Sequence, residues 1–284
     1  SAGIRVLTAP GDGVLIFEPV YFPFRSTILA NKRVPVISPL RNNNGHWEID
    51  FDDLDRKLGD AKAILFCSPH NPVGRVWSEE ELGRVAKLAK KHNVGVICDE
   101  IHSDFVFEGH HIPLASLDGM AERTITCTAP TKTFNMAGIK GANIIIENDD
   151  LRDKFEAEKE MTGNADLNIF SIVATKAVYR DGDGWVDALV GYIRENYDIL
   201  KEAFPEAGTD APVTLTHPEG TYLAWLDCRG LAEHGVPDPQ KFFLEEAGIR
   251  MNDGKMFGEG GDGFVRMNLG TQHDVVHEAI KRMK

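Results

Sequence analysis

Three short apolar runs decide what this chain can fold into: AILFCSP (Ala63–Pro69), VGVICDE (Val94–Glu100) and TITCTAP (Thr124–Pro130). Each is bounded by turn residues, and the first two are apolar at successive rather than alternate positions. That pattern marks strands buried on both faces of a largely parallel sheet. VLIFEP (Val14–Pro19) and GANIIIEN (Gly141–Asn148) continue the series. Between the first two runs lies a helix. Ser78 and Glu81 form a capping box, and Leu82, Val85, Leu88 and Ala89 share one face. His92, Asn93 and Gly95 supply its stop signals. The fold class that follows is α/β, a mostly parallel sheet with helices on both faces.

The pattern changes around Gly182 and Gly184. A long amphipathic helix is expected from about Trp185 to Phe204, with Ala188, Leu189, Tyr192, Ile193 and Leu200 at helical spacings. After Pro205 come TYLAWLDCR, a helix around QKFFLEEAG, the strand-like FVRMNLG and a last helix, HDVVHEAIKRMK. The expected division is a large unit over residues 1–184 and a smaller α+β unit over 185–284. The chain opens on Ser1 directly in a helix-like stretch, SAGIRVLT, so the large unit is expected to be incomplete at its amino terminus.

Composition narrows the partners. The chain has 284 residues, 42% hydrophobic and 26% charged, with 31 basic and 44 acidic residues giving a net charge of -13. That balance repels phosphate backbones and anionic lipid, so neither nucleic acid nor membrane is an expected partner. No apolar run approaches the ~20 residues that span a bilayer. Cys67, Cys98, Cys127 and Cys228 include no CxxC pair, and three of them end apolar runs. They read as buried free thiols rather than zinc ligands, and the expected compartment is the cytoplasm.

Some motifs carry little. GEGGDG (Gly258–Gly263) matches GxGxxG but precedes a strand-like segment instead of following one, so it reads as a loop rather than a dinucleotide site. His110 and His111 have no carboxylate or cysteine at ligand spacing and read as solvated loop histidines; no metal is expected.

Three other motifs point the same way. SPHNPVGRVW (Ser68–Trp77) follows a buried strand and precedes the capped helix, at the carboxyl edge where α/β sheets bind ligands. ICDEIHSDF places Asp99 and Glu100 at the end of the next strand, where carboxylates are costly unless something positive meets them. A protonated pyridine ring would meet that need. TAPTKTFNMAG brings Lys132 to the same edge. A lysine there is either solvated or a partly buried amine, and burial frees the neutral amine that Schiff-base chemistry requires.

Together these motifs resemble the fold-type I pyridoxal-phosphate (PLP) enzymes of the aminotransferase class I/II superfamily. HNPVGRVW, DEIHSDF with HHIPLASL, and APTKTFNMAG are most similar to its cystathionine β-lyase, or C–S lyase, group. The resemblance covers essentially the whole chain and implies a role for each matching residue. Lys132 corresponds to the lysine that bonds the cofactor covalently, and Asp99 to the partner of the pyridine nitrogen. Asn71 and His102 correspond to residues that hydrogen-bond the cofactor's phenolic oxygen. Tyr21, in EPVYFPF, corresponds to the aromatic stacked on the ring. Arg266, in FVRMNLG, corresponds to the arginine that clamps the substrate α-carboxylate, a task suited to its bidentate fork. Many relatives carry serine and arginine near the phosphate where this chain has Ala129 and Lys140. Lys140 is carried as a candidate there, with the hydroxyl of either Thr128 or Thr131.

The resemblance implies a lyase that cleaves cystathionine or a related S-substituted L-cysteine to a thiol, pyruvate and ammonia. The same residues would serve transamination, so an aminotransferase is the alternative. A non-catalytic binding or regulatory protein of the same fold is a third reading. A homodimer is expected.

Overall fold

The computed structural model describes residues 1–163 and 166–284. Its main sheet has six strands: β1 (Gly13–Ile16), β2 (Val34–Ile37), β5 (Ala61–Cys67), β6 (Gly95–Asp99), β7 (Thr124–Thr128) and β8 (Asn143–Ile145). They lie in the order β2-β1-β5-β6-β7-β8. All neighbours are parallel except β7 and β8, which are antiparallel. A hairpin of β3 (Arg41–Asn43) and β4 (His46–Glu48) stands apart from this sheet.

The continuous apolar runs have the expected cause. In β5, Ala63, Leu65 and Cys67 face one layer, shared with Ile4 of α1 (Ala2–Leu7), Phe24 of α2 (Pro23–Ala30) and Phe155 of α6 (Asp149–Met161). Ile64 and Phe66 face the other, shared with Leu54 of α3 (Phe51–Lys57) and with Leu82 and Val85 of α4 (Glu79–Lys91). Each buried Leu, Ile, Val or Phe among them contributes roughly 1.5–3 kcal/mol, so both faces of β5 are held by apolar burial. The α4 capping box forms with both hydrogen bonds in place, and Asn93 stops the helix in a left-handed conformation.

The second sheet is antiparallel, ordered β11-β12-β10-β9, from β9 (Thr214–Leu215), β10 (Leu223–Asp227), β11 (Asn252–Asp253) and β12 (Phe264–Asn268). α7 (Ile169–Asp181) and α8 (Asp183–Ala203) connect the two sheets. Ile193, Tyr197 and Leu200 of α8 share a core with the second sheet, as do Phe243 of α9 (Pro239–Glu245) and Val276 of α10 (His273–Met283). Its opposite face joins the first core: Trp225 stacks on Phe264 at 5.2 Å, and Trp47 of β4 meets Phe264 edge-on at 5.7 Å.

A strap leading into β10 crosses the large layer. Gly220 N donates to Gly74 O, and Thr221 N donates to Phe105 O. A side chain on Gly220 would come within 2.5 Å of the Phe105 carbonyl, so only glycine fits this crossing. Thr221 follows at φ 70°, an uncommon conformation for a β-branched residue, which costs of order 1–3 kcal/mol. Among the described residues, no helix is long and apolar enough to cross a membrane.

Candidate active site

In the register of the main sheet, Cys67 pairs with Asp99, and Asp99 with Cys127, so β5, β6 and β7 end level. The three informative motifs leave from these ends. Lys132 sits on α5 (Pro130–Thr133), one short turn past β7. The Thr133 hydroxyl donates to Asp104 at 2.5 Å and ties that turn to the segment carrying His102.

A cavity of about 200 Å³ lies at this edge, and Tyr21, Asn71, Asp99, His102, Lys132 and Arg266 all line it. Arg266 arrives from β12 of the other sheet. Its Nη1 donates to Asn71 at 2.8 Å and its Nη2 to Asn252 at 2.9 Å, while its guanidinium lies 4.7 Å from the Phe257 ring centroid. Its Nε is buried without a partner, and it takes part in none of the ion pairs among the described residues. Burial holds its pKa below the usual arginine range.

The electrostatics of the other groups follow from the same burial. Asp99 is pushed up to about 6 by desolvation, against the lowering effects of the Ile101 backbone N–H and of Lys132. His102 is pushed down to about 3, first by burial and then by the positive charges of Lys132 and Arg266. It is therefore neutral near pH 7, and its Nδ1 is buried without a partner. No hydrogen bond or ion pair among the described residues involves Lys132 Nζ. The cavity thus gathers an amine, a carboxylate and a guanidinium, none neutralised by a direct protein counter-charge.

Thr131 and Lys140 are not brought to this cavity. Thr131 lines a larger chamber of about 670 Å³ next to it. Lys140 is exposed and left-handed at the end of the 3₁₀ turn Ala137–Ile139. Ala129 lines a third, largely apolar cavity of about 410 Å³ that adjoins Asp99 and Tyr21 on another side.

His111 departs from its expected place as a solvated histidine. Its Nε2 meets Glu100 Oε2 at 2.9 Å, and Glu100 is buried and also accepts from Leu114 N at 3.0 Å. The two neighbouring carboxylates therefore part company. Asp99 faces the cavity, whereas Glu100 staples the segment 111–114 beneath it. His70 is buried, with Nε2 2.9 Å from Pro19 O, which makes it a donor to that carbonyl and links the Asn71 loop to the Tyr21 loop. The GEGGDG loop precedes β12 and opens no helix; Glu259 N donates to buried Glu18 at 2.7 Å.

Tyr222 and Asn268 also line the site, and both lie on the wall it shares with the large chamber. Neither stood out in the sequence. Tyr222 precedes β10 in what reads as an ordinary apolar strand, and no spacing rule connects it to Lys132. No hydrogen bond among the described residues involves its hydroxyl, and its ring packs 4.9 Å from Phe105 and 5.4 Å from His102. No cluster of three metal-ligating side chains occurs among the described residues.

A six-stranded, mostly parallel sheet with an amine, a carboxylate and a guanidinium converging at its carboxyl edge defines a class of α/β enzymes acting on small charged substrates. The aminotransferase class I and II family matches residues 1–283, and the chain belongs to that family. It is 39% identical to cystathionine β-lyase PatB of Bacillus subtilis (strain 168), over 100% of this chain and 74% of PatB. The structure of cystalysin from Treponema denticola, which contains a pyridoxal 5'-phosphate cofactor, superposes with a TM-score of 0.92 at 36% identity, covering 99% of this chain and 72% of that one. A PLP-bound putative aminotransferase from Clostridium difficile 630 gives the same TM-score and identity, covering 99% and 73%.

Proposed function

We propose that this protein is a PLP-dependent C–S β-lyase that cleaves S-substituted L-cysteines, cystathionine among them, to a thiol, pyruvate and ammonia. The observation that carries the reading is Arg266, a part-buried guanidinium without a carboxylate partner that shares a cavity with Lys132. Such a group is costly unless an anion meets it, and an amino acid brings one. The 39% identity to PatB favours elimination as the outcome.

The residues present fit the cofactor. Asp99, raised by burial, is relieved by a cationic ring nitrogen; His102 is neutral and Asn71 is polar; Lys132 has an unpartnered amine; Tyr21 offers an aromatic face. Bound there, PLP supplies the electron sink that stabilises negative charge at the substrate α-carbon. Arg266 holds the α-carboxylate through its two Nη groups and so fixes which substituent of the α-carbon faces Lys132. Lys132 Nζ takes the α-proton and serves as the acid on the return. Asp99 keeps negative charge beside the ring nitrogen throughout. Overall, one water is consumed and the carbon–sulfur bond is broken, with sulfur leaving as the thiol.

The alternative is an aminotransferase, favoured by the likeness to the Clostridium difficile protein. Pyruvate released from L-cystathionine or S-ethyl-L-cysteine without a keto-acid acceptor supports the lyase. Strict dependence on an acceptor supports the alternative. We further propose a homodimer in the cytoplasm. Exposed Ile169, Phe170 and Val173 on α7 suit a contact between copies, and the four cysteines are free thiols, as a reducing compartment keeps them.

A further inference from the structure

Beside the cavity that holds Lys132 and Arg266 lies the chamber of about 670 Å³, and the two share Lys132, Tyr222 and Asn268 as a common wall. We infer that this chamber is the subsite for the group borne on the substrate sulfur, and that it selects uncharged, apolar groups over charged ones. The inference rests on the lyase reading above and adds to it the class of substrate.

Two observations carry it. The first is position. Of the two larger cavities that border the site, among the described residues, only this chamber begins at Lys132; the other adjoins it at Asp99 and Tyr21. A substrate whose carboxylate lies on Arg266 and whose α-carbon faces Lys132 therefore extends its side chain into the chamber. The second is chemistry. Phe105, Trp185, Leu189, Tyr192 and Ile193 line the chamber, and its polar walls are neutral amides and hydroxyls such as Asn135 and Gln272. Among the described residues, Lys132 is the only ionisable acid or base on its wall apart from the two tyrosines, and the reaction itself occupies that lysine. The distal amino acid head of cystathionine would lose water there and find neither an anion nor a free cation in return, a cost that benzyl or alkyl groups escape. The volume exceeds what a methyl or ethyl group fills, so larger apolar groups gain the most.

The test compares kcat/KM for pyruvate release from S-benzyl-L-cysteine and L-cystathionine by the holoenzyme. At least a tenfold preference for S-benzyl-L-cysteine is expected. Leu189→Arg, which adds a cation to the chamber wall, should narrow or invert that ratio, chiefly through KM. A second measurement needs no turnover. Trp185 is 54% exposed while Trp47, Trp77 and Trp225 are buried, so ligand-dependent tryptophan fluorescence reports on this chamber. 3-(Benzylthio)propanoate, which lacks the amino group, should change that emission on titration into the holoenzyme, and Trp185→Phe should remove the change. Preference for cystathionine in the wild type overturns the inference, as does an unchanged ratio in Leu189→Arg. If neither substrate yields pyruvate, the lyase reading has failed. The propanoate titration then decides the chamber separately, and silence of Trp185 there overturns the subsite as well.

Discussion

Arg266 donates from Nη1 to the side-chain oxygen of Asn71 at 2.8 Å, joining a strand of the second sheet to a loop of the first. The proposed carboxylate-binding group and the proposed partner of the cofactor's phenolic oxygen are thus in direct contact. A substrate carboxylate that draws on Arg266 also acts on Asn71.

Arg266→Ala should therefore raise KM strongly, by one to two orders of magnitude, while lowering cofactor affinity only a few-fold through the loosened Asn71. Arg266→Lys should recover little, because a point charge cannot hold Asn71 and Asn252 together as the fork does. Steady-state kinetics beside a spectrophotometric PLP titration separates the two effects. Loss of cofactor affinity without a change in KM would move this arginine out of the substrate site.

Lys132→Ala should abolish turnover, and sodium borohydride should no longer fix the cofactor to the protein. Peptide mapping of the reduced wild type locates the attachment. Attachment at Lys140 instead, which lies outside the cavity, would refute the assignment.

Asp99 should set function against stability. Its folded-state pKa of about 6 lies above the ordinary carboxyl value, so the folded chain holds the proton more tightly than the unfolded one. Its contribution to stability therefore falls as pH rises from about 4 to 6, and the full cost, on the order of 2–3 kcal/mol, stands above that window. In cofactor-free protein, Asp99→Asn should raise Tm at pH 7 and not at pH 4. In holoenzyme the same change should lower kcat by orders of magnitude. Near-normal turnover in the variant contradicts the pairing with the ring nitrogen.

His70 should show the opposite sign. Burial lowers its folded-state pKa to about 4, so the unfolded chain takes up the proton first as pH falls below 6.5. Stability should drop between pH 6.5 and 4 by up to about 3 kcal/mol from this group. His70→Gln, which keeps a donor for Pro19 O, should flatten that limb in thermal melts across pH. An equally steep limb in the variant assigns the acid sensitivity elsewhere.

Glu100→Ala should cost about 2–4 kcal/mol, because it leaves Leu114 N unsatisfied and His111 unpaired in a buried setting. Denaturant melts measure it. A change under 0.5 kcal/mol would show that water replaces the staple.

The legible parts of this fold and site were those written locally. Successive apolar positions in AILFC and VGVIC carried the double burial of β5 and β6, and Ser78 with Glu81 carried the start of α4. That Asn71, Asp99 and Lys132 share one edge was readable because each lies at a strand end or a few residues past one, and parallel strands bring their ends together. His111 was misjudged because its partner, Glu100, is eleven residues away across a turn that no periodicity encodes. Tyr222 was missed for a related reason: it reaches the cavity through the Gly220 crossing, a tertiary fit that leaves only a glycine in the sequence.

That crossing bears on how the molecule comes to exist. The strap at Gly220 and Thr221 seals against residues 74 and 105, and Arg266 reaches back 195 positions to Asn71. During synthesis, a chain that has emerged past Lys132 owns that amine and Asp99 but not Tyr222 and Arg266 on the far wall. Contacts this distant in sequence form late, after the entropy of closing long loops has been met. The amine proposed to bond the cofactor is thus made well before its pocket, and cofactor capture would fall to the last act of folding.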